Sequence, residues 1–419
     1  MRAIFDLPYL TAGIPGSGGT VKQSPEDFLV EELPLYEPDG KGEHLFLWIE
    51  KRGISTFDVV RMLAERCGVS PRSIGFAGLK DVKAVARQHV CVSGVSEEKV
   101  RGLSFDSFRV LDVKRHSKKL RIGHLAGNYF RIRAHGVDSD GFERARQILT
   151  VLQARGVPNF YGPQRFGAGG RNVLVGRALL RERYARAIEA FFAPSRFEEG
   201  SGVNEARKYA YAGDYERALR LFPESFVPER RLAIALREAR LPVRGTSATK
   251  AQLARVLWAI PKRYLEFYVS ALQAYLFNEV LKQRYDSLDR VEAGDLAWIH
   301  SKGCVFLVED AEVESQRAAR FEISPSGPIF GYKVPYAKGA PGEIEWRYLK
   351  KARLLPRHFH MRLGLKNKGV RRPMRVPLAD VLLEPAADGF TIGFSLPKGS
   401  YATTVLREIM KPPSWDALV

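Results

Sequence analysis

The stretch from Gly75 to Gln88, GFAGLKDVKAVARQ, sets one carboxylate, Asp81, between two lysines, Lys80 and Lys83. Neighbouring cations keep a carboxylate ionised and draw in phosphates. Glycines such as Gly75 and Gly78 let another backbone approach closely. A lone ionised acid in a positive frame suits proton abstraction or nucleophilic attack on an anionic polymer. The same residues admit a plainer use. Asp is a favoured N-cap, and VKAVARQ could open a helix behind Asp81.

Short alternating segments surround this turn. Phe28-Leu29-Val30-Glu31 and His44 to Ile49 read as strands, separated by the turn-rich PDGKGE. Thr56 to Glu65 reads as a helix, with Thr56 as N-cap and Phe57, Val60 and Leu63 along its apolar stripe. HVCVSGV reads as a further strand. The stretch from Leu120 to Ala134 alternates strongly from Tyr129 onward, after a glycine turn. Strands and helices mix without a regular βαβ rhythm, which favours an α+β sheet domain. Near Gly156 the character changes, and from Arg171 to about Arg284 the pattern is mainly helical. Strand-like sequence returns in GFTIGFSL.

A chain of 419 residues is long for a single core and fits two domains. Lys and Arg number 66 against 47 acidic residues, a net charge of +19 that favours a polyanionic partner such as nucleic acid. Between Glu345 and Asp380 no acidic residue occurs. That window holds Arg347, Lys350, Lys351, Arg353, Arg357, Arg362, Lys366, Lys368, Arg371, Arg372 and Arg375, interleaved with Trp346, Tyr348 and Phe359. Basic groups contact phosphates and aromatics stack on bases, so the window reads as an RNA-binding strip; a solvated surface is the alternative. Lys114, Arg115, Lys118, Lys119 and Arg121 form a second basic strip. Cys67, Cys91 and Cys304 make no CxxC pair, which speaks for a reducing cytoplasm and against a cysteine-based zinc site. His358 and His360 lack an evident third ligand. No segment is apolar for the length of a membrane span.

Several separated motifs converge: KQSPEDFLVEE, GKGEH, GFAGLKDVKAVARQ, KKLRIGHLAGNYFRIR, GVPNFYGPQRFG, SALQAYLFN, SPSGPIFG, GVRRPMRV and FSLPKGSYATTVLRE. In number and order they resemble the TruD family of tRNA pseudouridine synthases, from about Lys22 to Glu408. The resemblance implies an α+β pseudouridine synthase catalytic domain around a curved mixed sheet, built from residues 1–155 and 370–419. A family-specific, mainly helical insertion domain would fill residues 156–369. It implies isomerisation of uridine-13 in the tRNA D-stem to pseudouridine, with no metal or organic cofactor. The partner would be tRNA, with no membrane and no obligate protein partner.

The resemblance also assigns roles. Asp81 lies where the family has its catalytic aspartate. Phe28, Asn128 and Phe394 match positions that contact the target nucleotide, which must leave the base stack at a cost of a few kcal/mol. From the residues alone, Phe28 and Phe394 would be core and Asn128 a turn residue. Lys22 is the candidate basic partner of Asp81. Lys80, Lys83, Lys119, Arg121, Arg371, Arg372 and Arg375 are expected to meet RNA. Val82 and Ala86 depart from the family pattern, which often has Arg and Thr there. A non-catalytic RNA-binding protein, such as a tRNA chaperone, is the competing reading.

Overall fold

The computed structural model describes residues 6–195, 198, 200–360 and 363–418. In chain order the first part runs β1 (Thr20–Val21), β2 (Phe28–Pro34), β3 (His44–Arg52), α1 (Thr56–Cys67), β4 (Ile74–Phe76), β5 (Val85–Ser93), α2 (Glu97–Arg101), β6 (Phe108–His116), β7 (Leu125–His135) and α3 (Gly141–Arg155). The middle part holds β8 (Val157–Pro158) and seven helices, α4 (Arg171–Leu180), α5 (Tyr184–Phe192), α6 (Gly202–Ala212), α7 (Tyr215–Leu221), α8 (Val227–Glu238), α9 (Lys250–Leu257) and α10 (Lys262–Gln283). It continues with β9 (Leu296–Ile299), β10 (Cys304–Leu307), α11 (Ala311–Ala319), β11 (Ile323–Ile329), α12 (Gly339–Lys351), β12 (Val370–Pro373) and β13 (Arg375–Val376). The chain closes with β14 (Ala379–Ala386), β15 (Gly389–Pro397) and α13 (Ala402–Met410).

Two compact units result. One comprises Tyr9–Val157 and Val376–Val419, the other Pro158–Arg375 with the residues ahead of Tyr9. Val370–Arg375, expected in the catalytic domain, therefore belongs to the middle unit. The reason is pairing: β12 lies antiparallel on β11 through Ser326↔Pro373 to Ile329↔Val370. The middle unit sets its helices with a four-stranded sheet of order β10-β9-β11-β12.

The first unit is built on a nine-stranded sheet, ordered β14-β15-β7-β2-β5-β3-β6, with β1 added to β7 and β4 to β5. Only β2 and β5 run parallel, and only over Leu29↔Val85 to Glu31↔Arg87. Side chains alternate across a strand, so residue parity assigns the faces. One face carries Phe28 and Val30 of β2, Phe130 and Ile132 of β7 and Phe390, Ile392 and Phe394 of β15 against Ile148 and Leu152 of α3 and Val405 and Ile409 of α13. On the same face Leu45, Leu47 and Ile49 of β3 and Val90 of β5 pack against Val59, Val60 and Leu63 of α1.

Two local expectations need correction. Ser55, not Thr56, caps α1: its side chain accepts from Asp58 N at 3.1 Å, and Asp58 returns the bond in a capping box. Phe57 is exposed and meets Phe76 edge-on at 5.9 Å. The segment behind Asp81 is also not a helix. VARQHVCVS alternates, and as β5 it pairs with β3 from Arg52↔Val85 to His44↔Ser93. Asp81 therefore caps no helix there.

Candidate active site

Following the inward parity along four neighbouring strands gives a pattern. Leu45, Leu47 and Ile49 of β3 are succeeded by Lys51; Phe28 and Val30 of β2 by Glu32. Ala84, just ahead of β5, and Ala86 within it are succeeded by Gln88, and in β7 Asn128 precedes Phe130 and Ile132. The register sets Lys51 beside Ala86, Ala86 beside Val30 and Glu32 beside Asn128. A polar seam thus runs across the middle of one sheet face, between two apolar clusters. The loop from Ala77 to Ala84 delivers Asp81 to this seam. Gly75 anchors the loop: a Cβ there would stand 2.2 Å from the Leu120 carbonyl oxygen, so only glycine fits.

Asp81 is exposed, its side chain 58% accessible, while the cations beneath it are not. Lys22 Nζ lies 3.9 Å from Asp81 Oδ2, with a side chain only 9% accessible. Lys22 has φ of +60°, a conformation disfavoured for a residue with a Cβ and common at functional positions. Lys51 is fully buried, and its Nζ donates to the backbone carbonyls of Asp81 and Ile54, each at 2.7 Å. Burial lowers Lys51 to about 8, against the pull of Asp81 upward, and Lys80 adds to the lowering. Burial likewise lowers Lys22, opposed by Asp81. A buried ammonium retains its charge poorly without an anion nearby, so the three lysines and Asp81 depend on one another. Lys83 is exposed beside the acid.

Lys80 sits inside the seam. Its backbone N donates to Thr56 Oγ1 at 3.1 Å, and Thr56 Oγ1 donates to Gln88 Oε1 at 3.0 Å. Its Nζ lies 2.5 Å from Asn128 Oδ1 and 3.4 Å from Glu32 Oε2. Its side chain is only 3% accessible, so Lys80, expected to contact RNA, is enclosed rather than presented at the surface.

The aromatic candidates line the apolar side. Phe28 is buried, with Lys22 Nζ 4.4 Å above its ring and Phe130 edge-on at 6.1 Å. Phe394 is wholly buried, 5.6 Å from Phe130, and offers no open face to a base in this conformation. Lys119 is half-buried, its Nζ donating to the Arg72 carbonyl at 2.5 Å, and Arg121 is exposed.

Arg371, Arg372 and Arg375 belong to the middle unit and are framework rather than surface. Arg371 is buried in a 2.7 Å ion pair with Glu345. Arg375 is buried over Phe321, 4.2 Å from its ring, and donates to Ser324 Oγ and the Ala318 carbonyl. Arg372 is half-buried, 4.3 Å from the Tyr161 ring, and donates to Asn159 Oδ1. The exposed members of that basic window are Arg347, Lys350, Lys351, Arg353, Arg357, Lys366 and Lys368, while Arg362 lies outside the described residues.

Residues 5–409 match the family model of tRNA pseudouridine synthase D (TruD). The chain belongs to the tRNA pseudouridine synthase D family. Among curated relatives, the tRNA pseudouridine synthase D of Geobacter metallireducens is 44% identical over 403 residues, covering 96% of this chain and 97% of that one. The Thermus thermophilus protein of the same name is 37% identical over 414 residues, covering 98% and 94%. A crystal structure from Methanosarcina mazei, also described as a tRNA pseudouridine synthase D, superposes with a TM-score of 0.78. Its identity is 26%, and the match covers 98% of this chain and 97% of that one. The match confirms the α+β class expected from the sequence.

Within this TruD-family site, Lys51, Glu32 and Thr56 escaped sequence reasoning. Their signal was a polar residue at the inward parity of an otherwise apolar strand, or beside a cap. The two departures from the family motif fall in different surroundings. Ala86 is a fully buried core residue that needs no polar partner, and Val82 is half exposed at 47% accessibility. No helix among the described residues is long and apolar enough to cross a membrane.

Proposed function

We propose that this TruD-family pseudouridine synthase isomerises uridine-13 of tRNA, with Asp81 as the catalytic carboxylate acting on a nucleotide flipped out of its stack. One observation carries the reading: Asp81 is exposed beside the buried Lys22 ammonium, while the buried Lys51 donates to its backbone carbonyl. The reaction breaks the N1–C1′ bond and joins C5 to the same carbon. The C5 proton is lost and N1 gains one, so nothing is oxidised or hydrolysed. Asp81 serves either by attacking C1′ or by accepting the C2′ proton; both need an ionised acid held in place.

The aromatic residues take graded roles. Moving the Lys22 side chain off the Phe28 ring would expose that face to uracil and loosen the Lys22–Asp81 pair together. Phe394 supports Phe130 from behind. Phosphate contacts fall to exposed groups, Lys83 and Arg121 in the first unit and the exposed lysines and arginines between Arg347 and Lys368 in the second, and they offset the cost of extruding the nucleotide. The three cysteines are free, in keeping with work in the cytoplasm. The test is incubation of unmodified tRNA with the protein, followed by mapping of pseudouridine. Modification at position 13 is expected. Modification elsewhere would refute the position, and binding without modification would favour an RNA chaperone.

A further inference from the structure

The reading of Asp81 as catalyst leaves the buried pair beside it, Glu32 and Lys80, without a role. Their side chains are 1% and 3% accessible, so neither reaches RNA directly. Lys80 Nζ lies 2.5 Å from Asn128 Oδ1. An ammonium group only donates, so the amide atom facing it must be the oxygen. The amide NH2 then points the other way. Asn128 Nδ2 has no hydrogen-bond partner among the described residues, and the residue is half-buried rather than enclosed. Lys80 is in turn held by Glu32, whose Oε2 lies 3.4 Å from Nζ. Glu32 Oε1 accepts from His89 N at 3.2 Å and stands 3.7 Å from His89 Nδ1. The chain of contacts runs from β5 through β2 and the Asp81 loop to β7.

We infer that Glu32 and Lys80 are positioning residues that lock Asn128 as a hydrogen-bond donor toward the O4 carbonyl of the target uracil. A free amide turns either end to a base. A locked one accepts uracil, which presents an oxygen at that edge, and rejects cytosine, which presents an amino group there. The inference rests on the proposed catalytic role of Asp81, since it assumes that the target base lies over this seam.

The test compares unmodified tRNA carrying uridine or 4-thiouridine, a poorer acceptor, at the target position. Wild-type protein is expected to lose about tenfold in kcat/KM on the thio substrate, the effect of one hydrogen bond. Lys80→Met is expected to lower kcat on uridine about 10–100-fold with KM within about threefold, because the amide is no longer oriented. Its thio penalty shrinks to less than about threefold. Glu32→Gln, nearly isosteric, should move both readouts the same way by a smaller factor; it decides the matter should Lys80→Met fail to fold. An unchanged thio penalty in the folded variants overturns the relay. So does a rise in KM with a weaker salt dependence of tRNA binding and unchanged kcat, which would make Lys80 a phosphate contact. A wild type that forms no pseudouridine overturns the Asp81 reading and this inference together, whereas an active wild type with no thio penalty overturns this inference alone.

Discussion

Replacing Lys51 with Met separates loop positioning from fold stability. Two opposing contributions set the stability. Bringing the ammonium from an ordinary 10.5 to about 8 corresponds to roughly 3 kcal/mol of unfavourable charge burial at neutral pH. Methionine removes that cost but leaves the carbonyls of Ile54 and Asp81 without their donor. Each buried acceptor so left costs about 1–3 kcal/mol. The net change therefore runs from about 1 kcal/mol of stabilisation to about 3 kcal/mol of destabilisation, a fall in Tm of no more than about 10 °C for a unit of this size. Catalysis has no such compensation. The tether on the Asp81 backbone is lost, and a shift of about 1 Å in a reacting group costs about 10²-fold. The assay is kcat at saturating tRNA, paired with thermal melts across the pH range.

The pH dependence has a definite sign. Lys51 binds its proton less tightly folded than unfolded, so between about pH 8 and 10.5 the unfolded chain carries more of that proton. Wild-type stability should rise with pH across this window relative to Lys51→Met, and the difference should be flat below pH 8. A folded Lys51→Met protein whose kcat stays within about threefold of wild type would refute the positioning role.

The remaining predictions touch other parts of the molecule. Arg371→Ala should lower the stability of its unit by about 3–5 kcal/mol, because it strands Glu345 inside, and a chemical-denaturation curve reads this directly. Lys83→Ala and Arg121→Ala should leave Tm essentially unchanged while each lowers the slope of log affinity against log salt for tRNA by about one per phosphate lost. Gly75→Ala should destabilise the first unit by about 1–3 kcal/mol, since the new methyl meets the Leu120 backbone rather than a movable side chain.

Strand alternation made the strands around Phe28, Leu45, Val90, Phe130 and Phe390 legible in advance, and helical spacing marked the middle of the chain. It failed where one signal had two readings. VKAVARQ has residues that suit a helix, but the alternation of Ala86, Gln88 and Val90 prevailed because β3 offered nine paired residues. The basic window misled at its last arginines for a related reason. Absence of acid in sequence does not mean absence of acid in space: Arg371 finds Glu345 across 26 positions, and Arg375 finds carbonyls and hydroxyls instead. Asp81 and Lys22 were legible from local charge and motif. Lys51 and Glu32 were not, because each follows an apolar series at a strand end, where a charged residue ordinarily marks solvent. Here the parity continues into a polar seam.

The central claim is that Asp81 performs the chemistry while the surrounding cations hold it and the RNA. Asp81→Asn keeps the size and removes the charge, so tRNA affinity should stay within about threefold while single-turnover pseudouridine formation falls at least about 10²-fold. Wild-type rates of pseudouridine formation in the folded Asp81→Asn protein would contradict the account.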